Sequence, residues 1–358
     1  MLSYFEDKSL PIDYLELVRR EITLFANKGI IPTWEMFLEN IPSGDSVSIY
    51  EMKDLFSKIV ESSFLSRVLD PLATEFILHS PFKSQKLLPT GKKESIQLEL
   101  EPRDWQLWIE MLSIRYRENW NVETPFASFY GELFGFKFRI TLVHESISPQ
   151  SMSKVFLRRI SSTPFKLENF GEVDTLQKFI RSKSNVLIAG STGSGKTSLL
   201  TSLIQEVPIE EHIVILEDTH EITAIGPHVT NLLSGKESPK DLSSYLTYAL
   251  RMTPDRIILG EMRSHEIVPY LLAMNTGHKG ILSTIHASSA VDALYRLALL
   301  FSLYSSLKQS SRTEIMELIC RNLEYVVFME NKRIIQIIKI FGSENGVPYF
   351  DEVKLALP

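Results

Sequence analysis

Hydrophobic positions along this chain follow two rhythms. In residues 11–60, Leu15, Val18, Ile22 and Phe25 recur at helical spacing, and Gly29 is suited to stop that helix. Ser48 and Glu51 have capping-box spacing ahead of Leu55, Phe56 and Ile59. From about 65 to 160 short runs alternate, as in Thr74-Glu75-Phe76-Ile77-Leu78 and Phe136-Lys137-Phe138-Arg139-Ile140-Thr141-Leu142, which predicts strands around a helical middle. Ser161, Ser162, Thr163 and Pro164 then read as linker. Beyond them the apolar runs become continuous and the order strand, loop, helix repeats, the pattern of a parallel α/β sheet. The expected division is a helical segment at 1–62, a small α/β domain at 63–162, a linker at 163–180 and an α/β domain at 181–358.

One loop carries specific chemistry. Gly190, Ser191, Thr192, Gly193, Ser194, Gly195, Lys196 and Thr197 spell GxxxxGK[ST] in full, with Ser198 following. Asn185-Val186-Leu187-Ile188-Ala189 before it is a strand of the buried type. Leu199, Leu200, Leu203 and Ile204 after it form an apolar helical face. Strand, loop and helix in that order are the setting a phosphate-binding loop requires. Its glycines let backbone N–H groups close around phosphates, and the helix N-terminus adds partial positive charge. ATP is the expected ligand, with Lys196 on its β- and γ-phosphates and the Thr197 hydroxyl on Mg²⁺.

Three later apolar runs end abruptly in polar residues. Ile213-Val214-Ile215-Leu216 runs into Glu217-Asp218-Thr219-His220-Glu221, Arg256-Ile257-Ile258-Leu259 into Gly260-Glu261, and Gly280-Ile281-Leu282-Ser283-Thr284-Ile285 into His286. Ligands of open parallel sheets bind outside the carboxyl ends of the strands, so Glu217, Glu261 and His286 are expected to converge beside Lys196. A carboxylate there can orient or deprotonate water or hold the metal through water, and a histidine can bond the γ-phosphate. The two glutamates can exchange these roles. Arg251, Arg256 and Arg263 flank the second run as phosphate clamps or as structural ion-pair partners. A zinc site on His278 and His286 is the rival reading, weakened by the absence of a HExxH helix or of cysteines nearby.

Composition narrows the class. The four tryptophans, Trp34, Trp105, Trp108 and Trp120, all fall in the first half, where they are read as core anchors. Cys320 is the sole cysteine, so no disulfide forms within the chain and a reducing compartment is the default. The start, MLSYFEDKSLPIDYLE, carries acids where a signal peptide needs a basic start, and no apolar run is long enough to span a membrane. A net charge of −6 argues against a nucleic-acid coat protein, and no nucleic-acid partner is expected.

Residues Asn185 to about Arg296 resemble the secretion-superfamily ATPases of type II and type IV secretion systems and pili. The phosphate loop is followed in order by three further boxes. Glu217-Asp218 with Glu221 resembles the family's aspartate box, Arg251-Met252-Thr253-Pro254-Asp255-Arg256 into Gly260-Glu261-Met262-Arg263 its Walker B segment, and Thr276-Gly277-His278 through His286-Ala287 its histidine box. Gly226-Pro227-His228-Val229, Ala273-Met274-Asn275-Thr276-Gly277-His278 and Asp292-Ala293-Leu294-Tyr295-Arg296-Leu297 look most like the Tad-pilus branch, beside the type IV traffic ATPases. One cysteine cannot build the four-cysteine zinc element usual in the assembly ATPases. Asp70-Pro71-Leu72-Ala73-Thr74-Glu75-Phe76 resembles the start of the family's N-terminal domain. Gly135-Phe136-Lys137-Phe138-Arg139 and Leu157-Arg158-Arg159-Ile160 resemble segments that present arginines to nucleotide. The chain departs from the usual glycine-acid-arginine turn at Phe136-Lys137-Phe138, and Thr219 and His220 vary the aspartate box.

The resemblance implies a RecA-like ATPase domain after a smaller α/β, PAS-like domain with a helical start. It implies a homohexameric ATP- and Mg²⁺-dependent motor at the cytoplasmic face of a bacterial inner membrane, acting on a membrane-embedded platform protein. Lys196, Glu217, Glu261 and His286 would be catalytic, Thr197 and Glu261 would serve Mg²⁺, and Arg139 and Arg159 would complete the site. A nucleic-acid translocase on the same fold and a regulatory module that binds ATP without turnover are the alternatives.

Overall fold

The computed structural model describes residues 13–41, 46–160, 165–224, 226–234, 241–305 and 311–355. The chain forms two compact units, 1–161 and 162–358. Residues 161–164, expected as linker, lie outside the described residues.

The first unit begins with helix α1 (Tyr14–Asn27), whose free N–H groups at Leu15 and Glu16 are capped by the Asp13 carboxylate. Short α2 (Trp34–Leu38) and α3 (Ser46–Val60) follow. Because α3 starts at Ser46, Ser48 lies inside its first turn rather than ahead of it. Strands β1 (Glu75–Ser80), β2 (Lys83–Leu87), β3 (Lys93–Ile96), β4 (Phe126–Leu133), β5 (Phe136–Val143) and β6 (Lys154–Ile160) form a sheet of order β3-β2-β1-β6-β5-β4. Every pairing in it is antiparallel, which suits the alternating burial along β1, β4 and β5.

Helix α4 (Pro102–Arg115) faces two ways. Trp105, Trp108, Ile109 and Leu112 join the sheet's core, with Trp105 Nε1 donating to the Ser153 carbonyl and Trp108 Nε1 to the Ser62 hydroxyl, each at 2.9 Å. Leu107 and Met111 pack instead with Val18, Ile22 and Phe56 of the helical start. Arg19 Nε donates to Asp104 Oδ1 at 2.6 Å, a buried ion pair that fastens α1 to α4. The segments expected at 1–62 and 63–162 therefore share one helix and fall in one unit.

In the second unit, residues 165–180 correct the linker expectation. They hold a 3₁₀ turn (Leu167–Phe170) and most of helix α5 (Val173–Arg181). Leu176, Phe179 and Ile180, at positions i, i+3 and i+4, are buried in the core with Val186 and Leu200. Strands β7 (Val186–Gly190), β8 (Ile213–Glu217), β9 (Val229–Leu233), β10 (Arg256–Met262), β11 (Leu282–His286), β12 (Tyr325–Glu330), β13 (Arg333–Glu344) and β14 (Val347–Glu352) form one sheet. Its order is β14-β13-β12-β7-β11-β10-β8-β9. The pairings from β12 through β9 are parallel, while β13 and β14 extend the sheet antiparallel.

Both faces of the parallel part are covered. Val186, Ile188, Ile215 and Ile258 pack under α5 and α6 (Lys196–Gln205). Leu187, Ala189, Val214 and Leu259 pack under α7 (Leu242–Ala249), α8 (Ile267–Asn275), α9 (Ala290–Tyr304) and α10 (Arg312–Asn322). Burial on both sides is why these strands read as unbroken apolar runs.

Candidate functional site

β7 delivers its carboxyl end into the phosphate loop. Gly190, Gly193 and Gly195 have φ of 155°, 75° and 98°. At Gly190 a side chain would also collide with the Met329 carbonyl oxygen and the Ser194 hydroxyl, so only glycine fits. Gly195 caps α6, and Lys196 opens it. Lys196 is buried, and its Nζ donates to the carbonyl oxygens of Ser191 at 2.8 Å and Gly190 at 3.1 Å. The ammonium thus sits in the mouth of the loop.

His286, at the end of neighbouring β11, has Nδ1 3.4 Å from Lys196 Nζ. Lysine offers only donors, so in this contact Nδ1 would be the acceptor. Burial and the Lys196 charge push the His286 pKa down from 6.5, against the Glu261 carboxylate and a backbone hydrogen bond at Gly190, which favours the neutral ring. Nε2 lies 2.8 Å from Glu261 Oε1, out of line for a hydrogen bond, and that buried oxygen has no donor among the described residues. Glu261 Oε2 is bonded by Arg263 Nη2, and Arg263 Nη1 donates to Asp218 Oδ2 at 2.6 Å. Lys196, His286, Glu261, Arg263 and Asp218 therefore form a line of touching polar groups across four neighbouring strand ends.

Glu217 does not join that line, contrary to the expected convergence. Its strand, β8, lies three strands from β7, roughly 14 Å at ordinary strand spacing, and its carboxylate is turned into the loop that follows. Its Oε1 accepts the backbone N–H groups of Glu221 and Ile222, both at 2.9 Å, and its Oε2 lies 3.4 Å from His220 Nδ1. Gly260 makes room for it, since a Cβ there would come within 3.1 Å of Glu217 Cγ. In this arrangement the buried Glu217 anchors the loop after β8. Its neighbour Asp218, part of the quoted box but given no role of its own, is the acid that reaches the line.

The three flanking arginines separate. Arg256 is buried, with Nε donating to Glu211 Oε2 at 2.6 Å and Nη2 to the Ile180 carbonyl at 2.7 Å, so it is a structural partner at the opposite end of the sheet. Arg251 is exposed. Arg263 is the one beside the candidate site. His278 is held in the turn after α8, its Nδ1 3.3 Å from Thr276 Oγ1.

The two arginines of the first unit lie on opposite faces of its sheet. Arg139 pairs across with Arg158, and Arg159 pairs with the core residue Phe138. Arg139 Nε lies 3.5 Å from Ser128 Oγ, whereas the Arg159 guanidinium bonds the Pro71 carbonyl and covers the Phe136 ring at 4.4 Å.

The donor set of the second unit suits a nucleoside polyphosphate and a hard cation. The glycines hold the loop in conformations that other residues rarely adopt, and Lys196 adds charge. Thr197 follows Lys196 in the first turn of α6, and Glu261 Oε1 is a buried carboxylate oxygen without a donor among the described residues. A glycine-lined loop between a buried strand and a helix, with acid and histidine on the adjoining strand ends, defines a P-loop nucleotide-binding protein.

The particular family follows from comparison. The family model described as "Type II/IV secretion system protein" matches residues 139–342, more than half of the chain, and the chain belongs to that family. It is 39% identical over 135 residues to the type IV secretion system protein VirB11 of Bartonella quintana, covering 36% of this chain and 37% of that protein. It is 33% identical over 188 residues to the conjugal transfer protein TrbB of Rhizobium radiobacter, covering 51% and 56%. The chain thus spans from about a third to somewhat over half of these relatives' lengths. Among solved structures, the pilus retraction motor PilT with bound ADP aligns at a TM-score of 0.58 and 19% identity over 82% of this chain and 81% of that one. The Legionella pneumophila ATPase DotB aligns at 0.55 and 18% over 82% and 79%. These two likenesses show a shared fold. No helix among the described residues is long and apolar enough to cross a membrane.

Proposed function

We propose that this chain is a Mg²⁺-dependent ATPase that converts hydrolysis into movement of a pilus or secretion machine. The observation that carries the reading is the contact line from Lys196 through His286 to Glu261, beside a loop built to hold phosphates. ATP would lie on the amides of residues 190–198 with Lys196 at its β- and γ-phosphates. Mg²⁺ would be held by Thr197 and, through water, by Glu261, and when bound it neutralises charge that develops on the transferred phosphoryl group. Glu261 has a buried oxygen positioned to accept a proton from water, and His286 stands beside it with Nε2 facing that carboxylate. Glu217 serves this chemistry at one remove, by fixing the loop that presents Asp218.

The wider reading is a homohexamer peripheral to the inner membrane, acting on a membrane-embedded platform protein. An arginine of the first, PAS-like unit would complete each site across a subunit boundary, which would couple hydrolysis to movement because the site is whole only when the interface closes. The names of VirB11, TrbB and PilT support a secretion or pilus role, and the residues quoted above as Tad-like incline the assignment to that branch. The test is phosphate release by the purified full chain with Mg²⁺ and ATP, alongside its mass in solution with a nonhydrolysable ATP analogue. Turnover that requires Mg²⁺, together with a six-subunit mass, is expected. A chain that binds ATP yet never releases phosphate would overturn the motor reading in favour of a regulatory module.

A further inference from the structure

The phosphate loop has two flanks. On one side of β7 lies β11 with His286, and on the other lies β12 with the hairpin loop that joins it to β13. That loop is Asn331-Lys332, closed by the pairing of Glu330 with Arg333. It rests directly on the phosphate loop, where the Lys332 N–H donates to the Ser194 carbonyl at 3.1 Å. A Cβ on Gly195 would lie 3.5 Å from Lys332 Cα and 3.8 Å from Lys332 Cβ. The lysine stem therefore starts within van der Waals reach of the residue that caps α6. No ion pair involves Lys332 among the described residues.

The conformation of this loop is costly for its sequence. Asn331 and Lys332 have φ of 48° and 64°. A two-residue hairpin loop with both residues left-handed is normally Asn-Gly, because the second position strains any side chain. The same unit contains that ordinary solution one hairpin later. The loop between β13 and β14 is Asn345-Gly346, with φ of 52° and 79°. So the chain uses glycine where the hairpin lies away from the phosphate loop, and a strained lysine where it touches it. Backbone strain held against a binding loop is a pointer to function.

We propose that Lys332 is a nucleotide-binding residue, contacting the phosphate chain of a nucleoside polyphosphate from the β12 flank. The inference rests on the ATP-binding reading above. Lys196 and His286 hold the opposite flank, where the terminal phosphate is cleaved. Lys332 lies on the other flank of β7 from His286, so its contact is with the charge of the bound nucleotide. Its contact is with anionic phosphate, and adenosine gains nothing from it.

The experiment measures ATP, ADP and adenosine binding by the full chain, as wild type, Lys196→Ala, Lys332→Gly and Lys332→Arg, with thermal melts of each. Lys332→Gly is expected to weaken ATP and ADP about tenfold, the scale of one charge-assisted contact, while leaving adenosine binding unchanged. The same variant is expected to melt about 2 °C higher, because glycine relieves the left-handed strain. Lys332→Arg should retain affinity. Opposite signs for stability and affinity distinguish a ligand contact from a structural role, in which the two would fall together. If wild type binds ATP, Lys196→Ala loses it and Lys332→Gly binds as tightly as wild type, the proposal falls while the ATP site stands. If wild type binds no nucleotide, the ATP site and this proposal fall together.

Discussion

The two ends of the parallel sheet both carry ion pairs, yet they use them differently. At the amino ends of the strands, Arg256 bonds Glu211 and the Ile180 carbonyl, and Asp255 Oδ2 accepts the His212 N–H at 2.9 Å. That backbone bond, helped by Lys183, holds the Asp255 carboxyl below its usual range. These charges close backbone positions and tie α5 to β8 and β10. At the carboxyl ends, Lys196, His286, Glu261, Arg263 and Asp218 chiefly face one another, beside glycines in left-handed conformations. The lesson is that a carboxylate at a strand end reads as architecture when backbone N–H groups are among its partners. It reads as a site when charged groups meet beside a loop that ordinary residues cannot form. By that criterion Glu217, with two backbone N–H groups on one oxygen, is the architectural residue of the carboxyl end.

The comparison can be broken in several places. Its strongest test is Lys196→Ala, expected to abolish ATP turnover with little change in the melt, since it removes the charge met by the transferred phosphoryl group. Normal hydrolysis by the folded variant would dissolve the site altogether. Glu261→Gln is expected to keep ATP binding and slow phosphate release by at least about a hundredfold, the scale of a positioned acid–base group. Its companion Glu217→Gln keeps an oxygen for the two N–H groups and is expected to lose less, on the order of tenfold. Equal losses at unchanged stability would return Glu217 to the chemistry. At the other end of the sheet, Arg256→Ala should cost about 3–5 kcal/mol by leaving Glu211 without its buried partner. Denaturant melts would read that loss, and a stable variant would show that the amino end is not structural.

The smallest effect sharpens the carboxyl end. The His286 pKa lies below 6.5, so above that value the ring is neutral in both folded and unfolded chains. As pH falls from about 6.5 toward the folded value, the unfolded chain takes up the proton first, and this residue's contribution to stability is lost. An NMR titration of the His286 ring should give a midpoint below 6.5, and a raised midpoint would mean that Glu261 outweighs burial and Lys196.

How far the sequence could be read depends on what sets each feature. β7, β8, β10 and β11 were legible because burial on both faces leaves unbroken apolar runs, and the phosphate loop because its glycines permit no substitute. Which strand ends bear polar groups was equally plain. Which of them meet was not, because strand order is a tertiary property, and it is the order β7-β11-β10-β8 that places His286 and Glu261 beside Lys196 and Glu217 farther off. α5 was missed although Leu176, Phe179 and Ile180 mark a helical face, since nine residues among many polar ones resemble a linker. The loop at Lys332 left no signal, because it lacks the glycine that normally marks such a turn.

Helix α4 carries a practical consequence for anyone who shortens this protein. Leu107 and Met111 are covered by α1–α3, and Asp104 by Arg19. A version starting after residue 62 would present two bare apolar side chains and a solitary carboxylate on one surface. Such a fragment should self-associate in purification, and replacing Leu107 and Met111 by polar residues should keep it dispersed.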